Sequence, residues 1–172
     1  RSVRLRSSAS AYFNRTPASS TNQTTWTWSG WVKRGALGTD QILFGAGTAS
    51  NNQNALFFSS DSINFLNQVS GTTSLQLVTS AVYRDPSAWY HIVAVYDSSN
   101  GTSSNRAKLY VNGVQVTSFS TSTYPSSSTN GLINSNIAHV IGKSTFTSGA
   151  YVDGYLTEIN FIDGQALTPS SF

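Results

Sequence analysis

Glu158 is the only glutamate among seven acidic residues, and its nearest acidic neighbours, Asp153 and Asp163, stand five positions to either side. Paired carboxylates cleave glycosidic bonds when they face each other, about 5 Å apart for retention. On a continuous strand alternate residues share a face, so an odd spacing turns both aspartates away from Glu158. This spacing predicts a structural glutamate, paired with an arginine such as Arg4 or Arg34. His91 lies inside an alternating run and His139 beside another, and both read as packed or hydrogen-bonded side chains. There is no cysteine, no serine in a nucleophile-elbow context and no phosphate-cradling glycine loop. No enzymatic activity is expected.

Binding chemistry is better supplied. A sugar is held by planar polar groups that meet its hydroxyls and by an aromatic face for its C–H surface. Asp40, Asn51, Asn52, Gln53 and Asn54 offer the first kind in two loops expected to converge. Asn64, Asn67 and Gln68 would add to the same face. Trp31 and Tyr124 are the aromatic candidates; the alternative for Trp31 is packing against a covering loop. Asp97, Asn100 and Asn105 share a polar loop and make the candidate calcium site, since calcium takes six to eight oxygens. A solvated turn is the other reading of that loop.

These side chains need a scaffold, and composition says which. Ser and Thr exceed a quarter of the chain, charged residues are 10% and aromatics 12%. Long solvent-facing helices need more Glu and Lys than this, whereas strands accept Ser, Thr, Asn and Gln outside and aromatic or β-branched residues inside. Trp26-Thr27-Trp28-Ser29-Gly30-Trp31-Val32-Lys33 alternates cleanly, which puts Trp26 and Trp28 in the core; Trp89 is assigned there too. Asn112-Gly113 between two β-prone runs marks a tight hairpin. Residues 3–13 read as one strand, 48–54 as a polar loop and 119–136 as a surface excursion. The net charge of +3 is spread without a basic run, so neither a nucleic-acid partner nor membrane insertion is expected. The reading is an all-β, two-sheet antiparallel sandwich of the jelly-roll kind, with one domain over 1–172.

Residues 26–33, 89–97, 109–114 and 153–159, in that order, resemble the concanavalin A-like lectin/glucanase superfamily in its laminin G-like and pentraxin-like branch. Residues 163–172, with Arg84-Asp85-Pro86-Ser87-Ala88-Trp89, are similar to a subgroup frequent in bacteriophage tail and other virion-associated proteins. The resemblance implies a curved jelly roll that is a module of a longer polypeptide. It implies Ca²⁺ at a loop rim as well, although residues 67–71 lack the aspartate that laminin G-like domains place there. The Glu-x-Asp-x-x-Glu strand motif of glucanases with this fold is missing. The function implied is that of a non-catalytic, lectin-like module recognising surface glycans, on a virion surface or otherwise extracellular. The alternative is a structural or protein-interaction domain of a virion or fibre, with other fibre chains as partners and no sugar site.

Overall fold

A computed structural model describes residues 1–146 and 149–172. The strands are β1 (Val3–Leu5), β2 (Phe13–Arg15), β3 (Thr25–Arg34), β4 (Gln41–Ala49), β5 (Asn52–Ser59), β6 (Ser62–Val69) and β7 (Thr72–Thr79). The second half adds β8 (Tyr90–Asp97), β9 (Ala107–Val111), β10 (Val114–Gln115), β11 (Phe119–Thr123), β12 (His139–Ile141) and β13 (Gly154–Asp163). One sheet has the order β1-β13-β3-β8-β9-β10 and the other β11-β7-β6-β5-β4-β12-β2, with every pairing antiparallel. This is the expected two-sheet sandwich. Asn112 and Gly113 both take positive φ, as a type I′ hairpin requires.

The core lies between the sheets, filled by the inward residues of both. Trp26 stacks on Tyr96 at 5.7 Å and meets Phe65 edge-on at 5.6 Å, while Trp28 stacks on Phe44 at 6.4 Å. Leu56, Phe58, Ile63, Phe65, Leu75 and Leu77 supply the opposite wall. Aromatic contacts of this kind add about 0.5–1.5 kcal/mol each beyond the area they bury.

Four expectations about this scaffold are corrected. Residues 3–13 are not one strand: a 3₁₀ turn at Ser7–Ala9, followed by Ser10 at φ +49°, sends β1 into one sheet and β2 into the other. Residues 48–54 are mostly strand, because β4 runs on to Ala49 and β5 starts at Asn52. The 119–136 excursion is not all surface, since β11 pairs with β7 and Ile133 is a buried core residue. Trp89 precedes β8 and is only half-buried.

A buried ionic node closes one end. Arg34 Nη1 lies 2.9 Å from Asp61 Oδ1 and donates to the Tyr83 carbonyl at 2.7 Å, with its guanidinium 4.2 Å over the Phe58 ring. Gly38 N–H donates to Asp61 Oδ1 at 2.7 Å, and Arg84 Nε donates to Oδ2 at 2.9 Å. The Asp61 carboxyl is held below its usual range, first by the Gly38 N–H and then by the two arginines, against its burial. Arg34 therefore does not pair with Glu158, and Arg4 instead lies over the Tyr155 ring.

Candidate functional site

A cleft opens between the sheets, at the edge where β2 ends the seven-stranded one. It has a volume of about 580 Å³, within the range of small-molecule sites. Strand pairing sets its wall: β12 lies between β4 and β2, with His139 opposite both Ala46 and Arg15. Phe44 and Phe161, 5.3 Å apart, come from opposite sheets and line it. Phe13, 51% exposed, stands at its border.

Arg15, Asn134, His139 and Asp163 are among the polar side chains that line this cleft, and Asn134 ties Asp163 to His139. Its Nδ2 donates to Asp163 Oδ1 at 2.7 Å and to the Asn22 carbonyl at 2.6 Å. Its carbonyl accepts from Thr21 N–H at 2.8 Å, and its own N–H donates to His139 Nε2 at 2.9 Å. A backbone N–H can only donate, so His139 Nε2 accepts and the proton sits on Nδ1, which donates to the Ile137 carbonyl at 2.9 Å. Burial lowers the His139 pKa most; the Ile137 bond opposes this and nearby Arg15 adds to it. Asp163 Oδ2 and the Arg15 guanidinium have no hydrogen-bond or ion-pair partner among the described residues. The cleft thus offers an acceptor, a cation and an aromatic face.

The expected sugar residues do not meet. Asp40 is exposed just before β4, whereas Asn51, in the turn, and Asn52, at the start of β5, lie at the far end of that strand. At about 3.3 Å per residue the two ends are roughly 30 Å apart, so the loops cannot converge. Asn52 Oδ1 accepts from Ser70 N–H at 3.3 Å and the Asn51 carbonyl from Gly71 N–H at 2.8 Å, joining two hairpin turns. Asn54 and Asn67 are both 0% exposed, because the β5–β6 register turns them inward. There Asn54 Nδ2 donates to the Leu66 carbonyl at 2.7 Å and Asn67 Nδ2 to Ser74 Oγ at 2.8 Å. Both side chains are closed off from solvent. Tyr124 packs half-buried against the core, and Trp31 lies on the outer face of the other sheet.

The Asp97 loop does not fit calcium. Asp97 Oδ1 accepts from Ser99 Oγ at 2.7 Å and Oδ2 from Asn100 Nδ2 at 3.3 Å. The Asn100 amide thus turns its nitrogen toward the carboxylate, where a cation would need its oxygen. Asn100 Oδ1 accepts from Thr102 N–H at 3.0 Å, while Asn105 N–H closes a turn onto the Thr102 carbonyl. One carboxylate with both oxygens engaged falls short of the donor set calcium takes.

Arg15, Asn134, His139 and Asp163 were missed because their meeting depends on closures that join residues over a hundred positions apart. Asn134 takes φ +68°, a region that asparagine tolerates better than most side chains.

The same sandwich recurs among known proteins. A laminin G family model of the concanavalin A-like lectin/glucanases superfamily matches residues 7–171, and the chain belongs to that family. Among curated protein sequences none matches. The heptameric SAP-like pentraxin of Limulus polyphemus is 17% identical with a TM-score of 0.60, over 91% of this chain and 71% of that one. The CBM40 module of the Ruminococcus gnavus IT-sialidase, bound to alpha2,3 sialyllactose, is 13% identical with a TM-score of 0.60, over 94% and 95%. Domain 4 of an extracellular arabinanase from Geobacillus stearothermophilus, in complex with arabinotriose, is 21% identical with a TM-score of 0.52, over 87% and 65%. At these identities the likeness is one of fold.

Proposed function

We propose that this domain is a non-catalytic carbohydrate-binding module that seats a surface glycan in the edge cleft. The observation that carries it is an Asp163 oxygen and an Arg15 guanidinium without partners among the described residues, and the exposed Phe13 ring, around one cleft. A sugar would lay its C–H face on Phe13, donate a hydroxyl to Asp163 and accept from Arg15. The similar folds that hold alpha2,3 sialyllactose and arabinotriose support a glycan as the partner class. Among the described residues lining the cleft Asp163 alone carries a carboxylate, which does not supply the acidic pair that glycosidic hydrolysis uses. Such contacts are individually weak and gain strength through multivalent display, which suits an adhesion protein on a virion or in the extracellular space.

A glycan array tests this reading, run with sialylated and neutral oligosaccharides and repeated with chelator. Binding that survives chelation and weakens about tenfold in Arg15→Ala or Asp163→Ala, the loss of one charge-assisted hydrogen bond, is the expected result. An array silent throughout would instead favour a structural or protein-interaction domain. Binding untouched by both substitutions would move the site elsewhere.

A further inference from the structure

The outer face of the six-stranded sheet carries a second cavity. It is small, about 280 Å³, and is lined by Ser29, Trp31, His91, Glu158, Asn160 and Phe172. Trp31 and His91 are cross-strand neighbours whose rings stack at 4.9 Å and 17°. His91 is 7% exposed; its Nε2 lies 2.9 Å from Ser29 Oγ, and its Nδ1 has no partner among the described residues. The tail after β13 crosses the same face, where Leu167 N–H donates to Thr27 Oγ1 at 2.9 Å and Thr27 Oγ1 donates to the Gln165 carbonyl at 2.7 Å. Phe172 is thereby brought to the cavity border.

A break in β13 puts a carboxylate there. Leu156 faces the core, so strict alternation would turn Glu158 inward as well. A bulge between Thr157 and Asn160 puts Glu158 at φ +51° and turns its side chain out beside Asn160. A left-handed glutamate is an unfavourable backbone state, and bulges re-aim side chains in this manner. Glu158 makes no ion pair and no side-chain hydrogen bond among the described residues. Asn160 Nδ2 donates to the Glu158 carbonyl at 2.9 Å, which leaves the Asn160 carbonyl oxygen as a second acceptor.

We propose that this cavity is a second carbohydrate subsite, taking one neutral sugar ring and making the module bivalent across its two sheets. The inference rests on the reading of the domain as a carbohydrate-binding module. The Glu158 carboxylate excludes acidic sugars and accepts hydroxyl hydrogens, Asn160 accepts another, and Trp31 and Phe172 supply apolar faces. The volume sits just under the ~300 Å³ at which drug-sized sites begin, which suits one ring rather than an oligosaccharide. Of the His, Cys, Asp and Glu side chains only His91 and Glu158 line the cavity, and no group of three that could hold a metal ion occurs among the described residues. Ser29 and His91 share the contact of a nucleophile and its base, but Ser29 is 1% exposed and out of a substrate's reach.

Nuclear magnetic resonance on the whole chain tests it. The probes are glucose, galactose, mannose and arabinose, with N-acetylneuraminate and methylammonium as controls. The Trp31 indole N–H should shift with at least one neutral sugar and with neither control. Glu158→Gln, which leaves the backbone unchanged in kind, should weaken that shift about tenfold; Asp163→Ala should leave it intact. Silence of Trp31 toward all four sugars overturns the subsite, as does a response to either control or dependence on Asp163. The amides of Asn134 and His139 report the edge cleft in the same spectra. A silent Trp31 with responsive cleft amides removes only the second site, whereas silence of both removes the carbohydrate reading.

Discussion

The Asn134 side-chain nitrogen lies 2.7 Å from Asp163 Oδ1 and fastens the long loop after β11 to the end of β13. One residue thereby joins three segments, because it also bonds Asn22 and His139. Asn134→Ala should remove two side-chain bonds and strain a left-handed position, lowering stability by about 2–3 kcal/mol. Asn134→Gly relieves the backbone and retains the loss of the bonds, so it should fall between alanine and the parent. Urea denaturation measures both, and an alanine variant of parental stability would remove the anchoring role.

Acid should unfold the protein in two stages. Burial holds His139 and His91 below their ordinary 6.5, with Glu158 opposing the shift at His91. Between the folded and unfolded values the unfolded chain binds more protons, so stability rises with pH across that window. This contribution is whole above about 6.5 and is lost as pH falls through the folded values. Asp61 follows lower down: its contribution is present above 3.8 and is lost as pH falls through its depressed folded value. Melting temperature against pH should show both declines. His139→Gln keeps an acceptor for Asn134 and should shrink the first stage alone; an unchanged first stage would exclude His139.

The Arg34–Asp61 pair should behave as a buried ion pair broken from one side. Asp61→Asn leaves the Arg34 guanidinium inside with less compensation, and its Nε and Nη2 already lack hydrogen-bond partners among the described residues. A loss of about 3–5 kcal/mol is expected. Arg84, whose side chain is 63% exposed, should cost under about 1 kcal/mol when changed to alanine. Denaturation midpoints of the two variants test the ordering, and equal losses would refute it.

Alternation made the architecture legible, while closure kept the cleft hidden. Trp26, Trp28 and the Asn112-Gly113 turn announce their places because strand period and turn chemistry are local properties. The two inward asparagines, Asn54 and Asn67, are misleading for the same reason: polarity suggests the surface, but the strand register decides the side. The Glu158 bulge also defeats a parity argument. Asp163 does lie on the face opposite Glu158, as the odd spacing requires. Asp153 lies just before β13, bonded to Ser7, so strand alternation does not govern it. Arg15 and His139 are paired only by a closure between distant segments, which no window of sequence contains.

Gly30 gives the last prediction, on the strand that carries Trp31. A methyl group there would run into Ile159 Cδ1 and come within 2.8 Å of Trp28 Cη2. Ile159 stands in the bulge that also turns Glu158 outward, so the two cannot move independently. Gly30→Ala should therefore cost about 1–3 kcal/mol through overpacking, and it should disturb the second cavity more than the edge cleft, which it reaches only through Trp28 and Phe44. In the same spectra the Trp31 indole resonance should move further in the free protein than the Asn134 amide. Should Gly30→Ala match the parent in stability and in both resonances, the coupling between core packing and the bulge would be wrong.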